Sequence, residues 1–299
     1  MAINPDTFEL RVLESAEEIK PVEQFQALIW PGSDLEIVPL HILITAAQNG
    51  GLLIGAYDQD QLVGFVFGFA GFYYHENQGH VKHCSHMLGV HPDYRDLGLG
   101  FRLKRAQWQL VRKQGLDLIT WTYDPLESRN AYLNISKLGA ICNTFKRDLY
   151  GEMQDDLNAG ILSDRFQVDW WVESRRVLKR LGQKSQDRIG LADYLAADVP
   201  IINETKLNNA GLLSPQPNNI DFLEDRESHP NLVLFEIPGN FQMIKAADLA
   251  LAQEWRQYSG DSFQMLFQQG YMITDFVFTF DDSPRGYYVL TYGEATIGP

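Results

Sequence analysis

Polar and apolar positions alternate through "TFELRVLES" (residues 7–15), which predicts a strand. The spacing then turns helical in "SAEEIKPVEQFQALIW", where Ser15 is placed as N-cap and Glu17 and Glu18 sit in the first turn. A second short helix is expected over "LHILITAAQNG", ending at the Gly50–Gly51 pair. In "GLLIGAYDQDQLVGFVFGFAGFYY" two apolar runs joined by "DQDQ" predict a hairpin. Its second strand puts Phe65, Phe67 and Phe69 on one face and Gly64, Val66, Gly68 and Ala70 on the other, a glycine-lined face open to close approach. "HVKHCSHMLGV" reads as the next strand. From Leu99 to about Gln114 the pattern is helical, with Leu103, Ala106, Trp108, Leu110 and Val111 apolar and Arg102, Lys104, Arg105, Arg112 and Lys113 on the polar face. "LDLITWTYD" predicts a strand, "PLESRNAYLNISKLG" a helix closed by Gly139, and "AICNTFKRDLYG" and "RFQVDWWVES" two further strands. The order over residues 7–172 is β-α-α-β-β-β-α-β-α-β-β.

Beyond Ser174 the texture changes, which places a division between residues 1–173 and 174–299. "RRVLKRLGQKSQDRIG" reads as a basic, weakly amphipathic link, and the Asn-, Pro- and acid-rich stretch "NETKLNNAGLLSPQPNNIDFLEDRESHPN" as largely loop. Order resumes with "LVLFEIP", one helix over about 246–269, and strands at "YMITDFVFTF" and "GYYVLTYG". A smaller α/β region at the C-terminus is therefore expected.

Composition narrows the function classes. The 299 residues are 45% hydrophobic and 21% charged, ordinary globular usage that supports a real core. A net charge of −14 argues against nucleic acid, whose phosphates need a basic surface. It suits a cationic small substrate, or simply keeps the protein in solution. The first residues lack a basic region followed by an apolar run, and the most apolar segment, "LVGFVFGFAGFYY", has 13 residues where a membrane span needs about 20. No membrane association is expected. Cys84 and Cys142 are the only cysteines, with no disulfide framework and no metal-ligand spacing, so a reducing, cytoplasmic setting is the default.

The chemistry-bearing stretch is "VHPDYRDLGLGFRLKRAQWQLVRK", from Val90 to Lys113. It lacks the third glycine of a dinucleotide fingerprint, since Leu103 stands there, and lacks the Lys-Ser/Thr pair of a Walker A loop. What remains is Arg-x-x-Gly-x-Gly between a strand ending in Val-x-Pro and a helix N-terminus. Such a loop turns successive N–H groups inward and adds the helix dipole, while Gly98 and Gly100 clear side chains from the path of an anion such as a pyrophosphate.

The unit "MLGVHPDYRDLGLGFRLKRAQWQLV" resembles the acetyl-CoA-binding motif of the GNAT superfamily of N-acetyltransferases, and the element order over residues 7–172 is that superfamily's. The resemblance is nearest to a long, poorly characterised bacterial branch with a C-terminal extension. It implies a mixed, mostly antiparallel twisted sheet flanked by helices, with acetyl-CoA or another acyl-CoA as co-substrate. The acceptor would be a small-molecule amine, a peptide N-terminus or a lysine.

By the same resemblance the loop amides of Arg95, Asp96, Leu97, Gly98, Leu99, Gly100 and Phe101 would hold the CoA pyrophosphate, with Arg102, Lys104 and Arg105 within reach of its phosphates. Leu88, Gly89 and Val90 would lie along the pantetheine arm, and the Leu88 amide would donate to the oxyanion of the tetrahedral intermediate. The base is expected at Cys84 or His86, on one strand face with Leu88 and Val90; His86 is favoured for its pKa near neutrality, against a purely packing histidine. His83 points the other way. His75, Glu76 and His80, at the adjoining turn, are acceptor contacts by this reading.

The fourth helix departs from the family pattern. Aligned on Gly139, it has Ile135 where the family's thiolate-protonating tyrosine stands, with Asn134 beside it at the CoA. Tyr132 or Tyr123 would have to supply the acid, unless none is needed. Asp124 either binds a cationic acceptor or caps the helix after Pro125. The alternative function is a GNAT-shaped protein that binds or senses CoA without efficient catalysis. The C-terminal region could serve as a lid, a homodimerisation element or an acceptor site.

Overall fold

The computed structural model of the chain describes residues 7–31, 37–153, 155, 157–182, 188–216, 229–280 and 283–293. Contacts divide it into two compact units, residues 1–121 with 154–156 and 171–173, and residues 122–153 with 157–170 and 174–299. Residues 174–299 all fall in the second unit, which also takes in 122–153 and 157–170.

In the first unit, β1 (Glu9–Val12), β2 (Leu52–Asp58), β3 (Gln61–His75) and β4 (Gln78–Val90) form an antiparallel sheet in that order, joined by β5 (Leu118–Tyr123), which runs parallel to β4. Helix α1 (Ala16–Ile29) starts at Ser15, whose hydroxyl accepts from the Glu18 amide at 3.3 Å while the Glu18 carboxylate accepts from the Ser15 amide at 3.0 Å. That reciprocal capping box is the start signal the sequence carried. With α2 (Leu40–Gln48), α1 covers one sheet face through Ile19, Val22, Phe25 and Ile29, packed on Phe65 and Phe67. The 15-residue helix α3 (Leu99–Lys113) covers the other through Leu99 and Leu103, packed on Val66. A Cβ on Gly64 would stand 3.3 Å from Leu99 and from Leu103, so the glycine-lined face of β3 is what lets α3 settle there.

In the second unit a sheet runs β7 (Arg165–Trp171), β6 (Ile141–Lys146), β11 (Tyr271–Phe278), β12 (Arg285–Tyr292), β10 (Leu232–Pro238). Phe263 of the 20-residue helix α8 (Leu249–Gln268) meets Phe166 at 4.7 Å and Phe235 at 4.6 Å between ring centroids. Tyr194 of α6 (Leu191–Ala196) packs with Leu234 and Val289 in a separate cluster.

Three expectations about this region change. The "basic link", of which 183–187 lie outside the described residues, holds α5 (Arg175–Gly182), because Val177 and Leu181 are buried and two of its arginines have partners: Arg176 Nε donates to Gly139 O at 3.0 Å, and Arg180 pairs with Asp275 at 2.6 Å. The helix expected over 246–269 is two, α7 (Phe241–Ala247) and α8, broken at Asp248, which leaves helical geometry at φ −152° and caps α8 by accepting from the Leu251 amide at 3.0 Å. The Asn-rich stretch holds a short hairpin of β8 (Thr205–Leu207) and β9 (Leu213–Pro215), with 217–228 outside the described residues.

Helix α4 (Ser128–Ala131) runs straight into a wide π-type turn over Tyr132–Lys137, where the Leu138 amide donates to Leu133 O at 2.9 Å, and ends at left-handed Gly139 (φ 79°).

Candidate functional site

The chain leaves β4 at Val90, makes a short 3₁₀ turn over Pro92–Tyr94 and enters α3 through Gly98. Asp96 (φ 66°) and Gly98 (φ 77°) both adopt left-handed backbone, and Arg102 N donates to Gly98 O at 3.1 Å as the first intrahelical bond. The amides of Leu99, Gly100 and Phe101 therefore precede the helical ladder, at the positive end of a long helix. Gly98 brings no side-chain cap, and a Cβ placed there would meet nothing within 4 Å. Three donor amides at a helix N-terminus, with open space where a Gly98 side chain would stand, make a setting that suits an anion. Its neighbour Arg95 is exposed and reaches back to Val90 O at 3.4 Å. Arg102 points elsewhere, donating to Phe8 O at 2.7 Å with its guanidinium over the Phe8 ring.

Strand β4 supplies a rail. His91 N donates to Val63 O at 2.9 Å. Backbone groups of successive residues point to opposite edges of an antiparallel pair, so Gly89 and Met87 also turn theirs toward β3. Leu88 and Val90 turn theirs to the other edge. There β5 pairs with β4 only at His83↔Ile119 and Cys84↔Thr120. Past Cys84 the two strands fork, and Leu88 and Val90 present their main-chain groups to the gap. Gly89 belongs to the β3 side, and a Cβ on it would strike the Phe65 ring at 2.8 Å.

A bulge lies in the fork. Phe67 faces Met87, but the next residue, Gly68, faces Ser85, so His86 is the extra residue. The bulge resets the alternation and corrects one expectation. Cys84 and His86 do not share a face with Leu88 and Val90. His86 lies exposed on the α1/α2 side, its ring 6.1 Å from Phe67 and 5.8 Å from Phe69, and desolvation there lowers its pKa below the ordinary histidine value. Cys84, opposite Phe69, lies on the same side.

The α3 side of the fork holds a polar chain that sequence reasoning passed over. Lys104 Nζ donates to Ser85 Oγ at 2.9 Å and to Gln107 Oε1 at 3.3 Å, and lies 3.5 Å from the Trp121 ring centroid. Gln107 Nε2 in turn meets His83 Nε2 at 3.1 Å. Lys104 is 2% exposed and desolvation pulls its pKa well down; His83 is fully buried, and desolvation with the nearby Lys104 charge brings it to about 3. The expected reach of Lys104 to a phosphate is thus corrected: it points inward at the fork. Gly68 makes room for this, since a Cβ there would run into the His83 ring and the Cys84 carbonyl.

Glu76 sits at the exposed β3–β4 turn with φ 48°; it is eight residues along β3 from Gly68, about 26 Å at strand rise. In the second unit, Tyr123 is buried with its hydroxyl 3.3 Å from that of Tyr288, which donates to Pro125 O at 2.8 Å, and burial raises its pKa well above the usual value. Tyr132 accepts from Arg188 Nη1 at 3.2 Å. Asn134 and Ile135 are buried in the π-type turn. Asp124 is clamped by Arg256 through bonds of 2.7 and 2.5 Å and accepts from the Leu126 amide at 2.9 Å. Its carboxylate is already neutralised, which removes it as a ligand for a cationic acceptor and leaves the turn-capping role.

Residues 14–134 match the family model described as the acetyltransferase (GNAT) family. Among solved structures, the chain is similar to Arabidopsis thaliana NAA60 in complex with acetyl-CoA, at 14% identity and a TM-score of 0.43, over 55% of this chain and 99% of that one. It is similar to the ribosomal-protein-S18-alanine N-acetyltransferase from Escherichia coli, at 13% and 0.42, over 55% and 94%. A GNAT family acetyltransferase from Elizabethkingia anophelis with acetyl-CoA bound gives 12% and 0.42, over 56% and 99%. No curated protein matches the chain.

Proposed function

From the match of residues 14–134 to the acetyltransferase (GNAT) family model, we propose that the chain is an acyl-CoA-dependent N-acyltransferase that moves acetyl from acetyl-CoA to a primary amine. The observation that supports it most is the continuity of cradle and rail: donor amides at the head of α3 lead directly to the outward main-chain groups of Val90 and Leu88, beside a fork that β5 leaves open beyond Cys84. The pyrophosphate would rest on the amides of residues 95–101 and the pantetheine arm would add to β4 as an extra strand.

In this reading the thioester lies at the bulge with the Leu88 amide as oxyanion donor. His86, held largely neutral by its lowered pKa, takes the amine proton directly or through water. Its flanking Phe67 and Phe69 rings form an apolar wall at the acceptor's entry. The net charge of −14 favours a cationic acceptor. Among the described residues no helix is long and apolar enough to cross a membrane.

The test is thermal stability and calorimetry with acetyl-CoA, followed by CoA release over a library of amines and peptide N-termini. Binding should stabilise the fold by RT ln(1 + [L]/Kd), so the melting temperature should keep rising with acetyl-CoA concentration. Absence of a shift at millimolar acetyl-CoA would sink the proposal, and binding without amine-dependent release would reduce the protein to a CoA-binding module.

A further inference from the structure

By the resemblance, Ile135 stands where the family's thiolate-protonating tyrosine would be; Tyr123 is buried with its hydroxyl against that of Tyr288, and Tyr132 accepts from Arg188. The fork itself holds another proton source. We propose that Ser85, backed by Lys104, delivers the proton to the departing CoA thiolate; this rests on the acyltransferase reading above.

The argument is one of track and terminus. An arm that leaves the α3 cradle and follows Val90 and Leu88 meets the β5 ladder again at Cys84↔Thr120, where the gap closes. Its reactive end must therefore stop beside residues 85–87. There the side chains diverge: His86 stands on the α1/α2 face with Phe67 and Phe69, and Ser85 on the α3 face with Lys104. Amine deprotonation and thiolate protonation are thereby assigned to opposite faces of one bulge. Because Lys104 Nζ donates to Ser85 Oγ at 2.9 Å, the serine's own hydrogen is left for a further acceptor. Gln107, fixed against His83, holds the lysine in place. Burial lowers the Lys104 pKa, which makes its ammonium a readier donor than a solvated lysine.

The step balances. As the tetrahedral intermediate collapses, the C–S bond breaks and its electron pair goes to sulfur. The Ser85 hydroxyl proton moves to sulfur, a Lys104 N–H proton moves to Ser85 Oγ, and the neutral lysine regains a proton from solvent after CoA departs. Ser85 is the group in contact with the leaving atom and Lys104 is the positioning residue behind it.

The experiment compares acetyl-CoA with acetyl-seleno-CoA, whose selenolate is a much weaker base and leaves without protonation. Full-length wild type, Ser85→Ala and Lys104→Met are assayed for release of the CoA species with hydroxylamine as nucleophile, alongside the melting temperature and the CoA dissociation constant. With acetyl-CoA both variants should turn over about 10²-fold slower or worse. With the selenoester both should return to within about tenfold of wild type. Equal losses on the two donors, or no loss on acetyl-CoA, would overturn the proposal. Methionine in place of a buried cation is tolerated by many cores; should Lys104→Met fail to fold, Ser85→Ala gives the same reading alone. Failure of wild type to bind or turn over acetyl-CoA overturns the acyltransferase reading itself, an outcome distinct from a donor-independent loss in the variants.

Discussion

Asp124 is the residue at which sequence and structure disagree most sharply, and replacing it separates the two. A carboxylate waiting for a cationic acceptor could be neutralised with little effect on folding. The structure instead makes it half of a buried bidentate pair, with Arg256 Nη1 at 2.7 Å from Oδ1 and Nη2 at 2.5 Å from Oδ2, a backbone bond from Leu126 at 2.9 Å, and Arg165 Nη1 at 3.9 Å. Asp124→Asn leaves the Arg256 guanidinium buried without its counter-charge, which costs about 3–5 kcal/mol. For a cooperative unit of this size that is a fall of roughly 6–20 °C in melting temperature. The double variant Asp124→Leu/Arg256→Met should lose much less than the sum of the single changes, because neither charge is then stranded.

The same pair makes a pH prediction. Burial alone would raise the Asp124 pKa, but the charge and hydrogen bonds of Arg256, then Arg165 and the Leu126 amide, bring it below the ordinary carboxylate value. A carboxylate with a depressed folded pKa contributes stability that is present above its unfolded pKa, about 3.9, and is lost as pH falls through the folded value. The stability gap between wild type and Asp124→Asn, measured by urea unfolding under tryptophan fluorescence, should be constant from pH 7 to 5 and shrink below about pH 4. An Asn variant within 1 kcal/mol of wild type, combined with a raised KM for cationic amines, would refute the buried-pair reasoning.

Four shorter predictions accompany this one. Gly98→Val forces a branched residue into left-handed backbone in open space, so calorimetry should show CoA affinity down about tenfold or more with the fold kept; unchanged affinity would remove the loop as the pyrophosphate cradle. His86→Ala should lower kcat about 10²-fold while leaving CoA affinity intact. Since desolvation lowers the His86 pKa, the acid limb of the wild-type kcat profile should lie below pH 6.5, and a midpoint above 7 would exclude it as base. A thiol reagent should label Cys84 in the native protein but Cys142 only on unfolding, because burial removes Cys142 from solvent and pushes its pKa up; rapid native labelling of both, read by mass spectrometry, would contradict the packing of β6.

Much of the first unit was legible in the sequence, because each of its elements satisfies a local rule. The strand–helix–helix opening, the hairpin, the glycine loop and α3 follow from alternation, capping and turn chemistry, and the Ser15–Glu18 box stands where its motif places it. The second unit was less so. Helix α5 read as a link because its arginines look like a solvated face until Asp275 and the Gly139 carbonyl are brought to meet them. Lys104 carried a signal that its charge concealed: it falls on the buried stripe of Leu99, Leu103, Gln107, Trp108 and Val111, where helical spacing puts any residue inside.

What the sequence determined by itself was the local geometry of the glycine loop. A proline-led turn, two glycines and a helix start suffice to build an anion cradle, since the donors are backbone amides and need only local geometry. Tertiary structure decided everything that depends on which residues face one another. Strand pairing shifts by one position at His86, and with a side-chain period of two that single insertion moved Cys84 and His86 to the face opposite Leu88 and Val90. Burial, likewise invisible in composition, turned Lys104 from a surface cation into the partner of Ser85, and Asp124 from an open carboxylate into the counter-charge of Arg256. Local propensity writes the cradle; only long-range pairing sets which side chains stand at the fork.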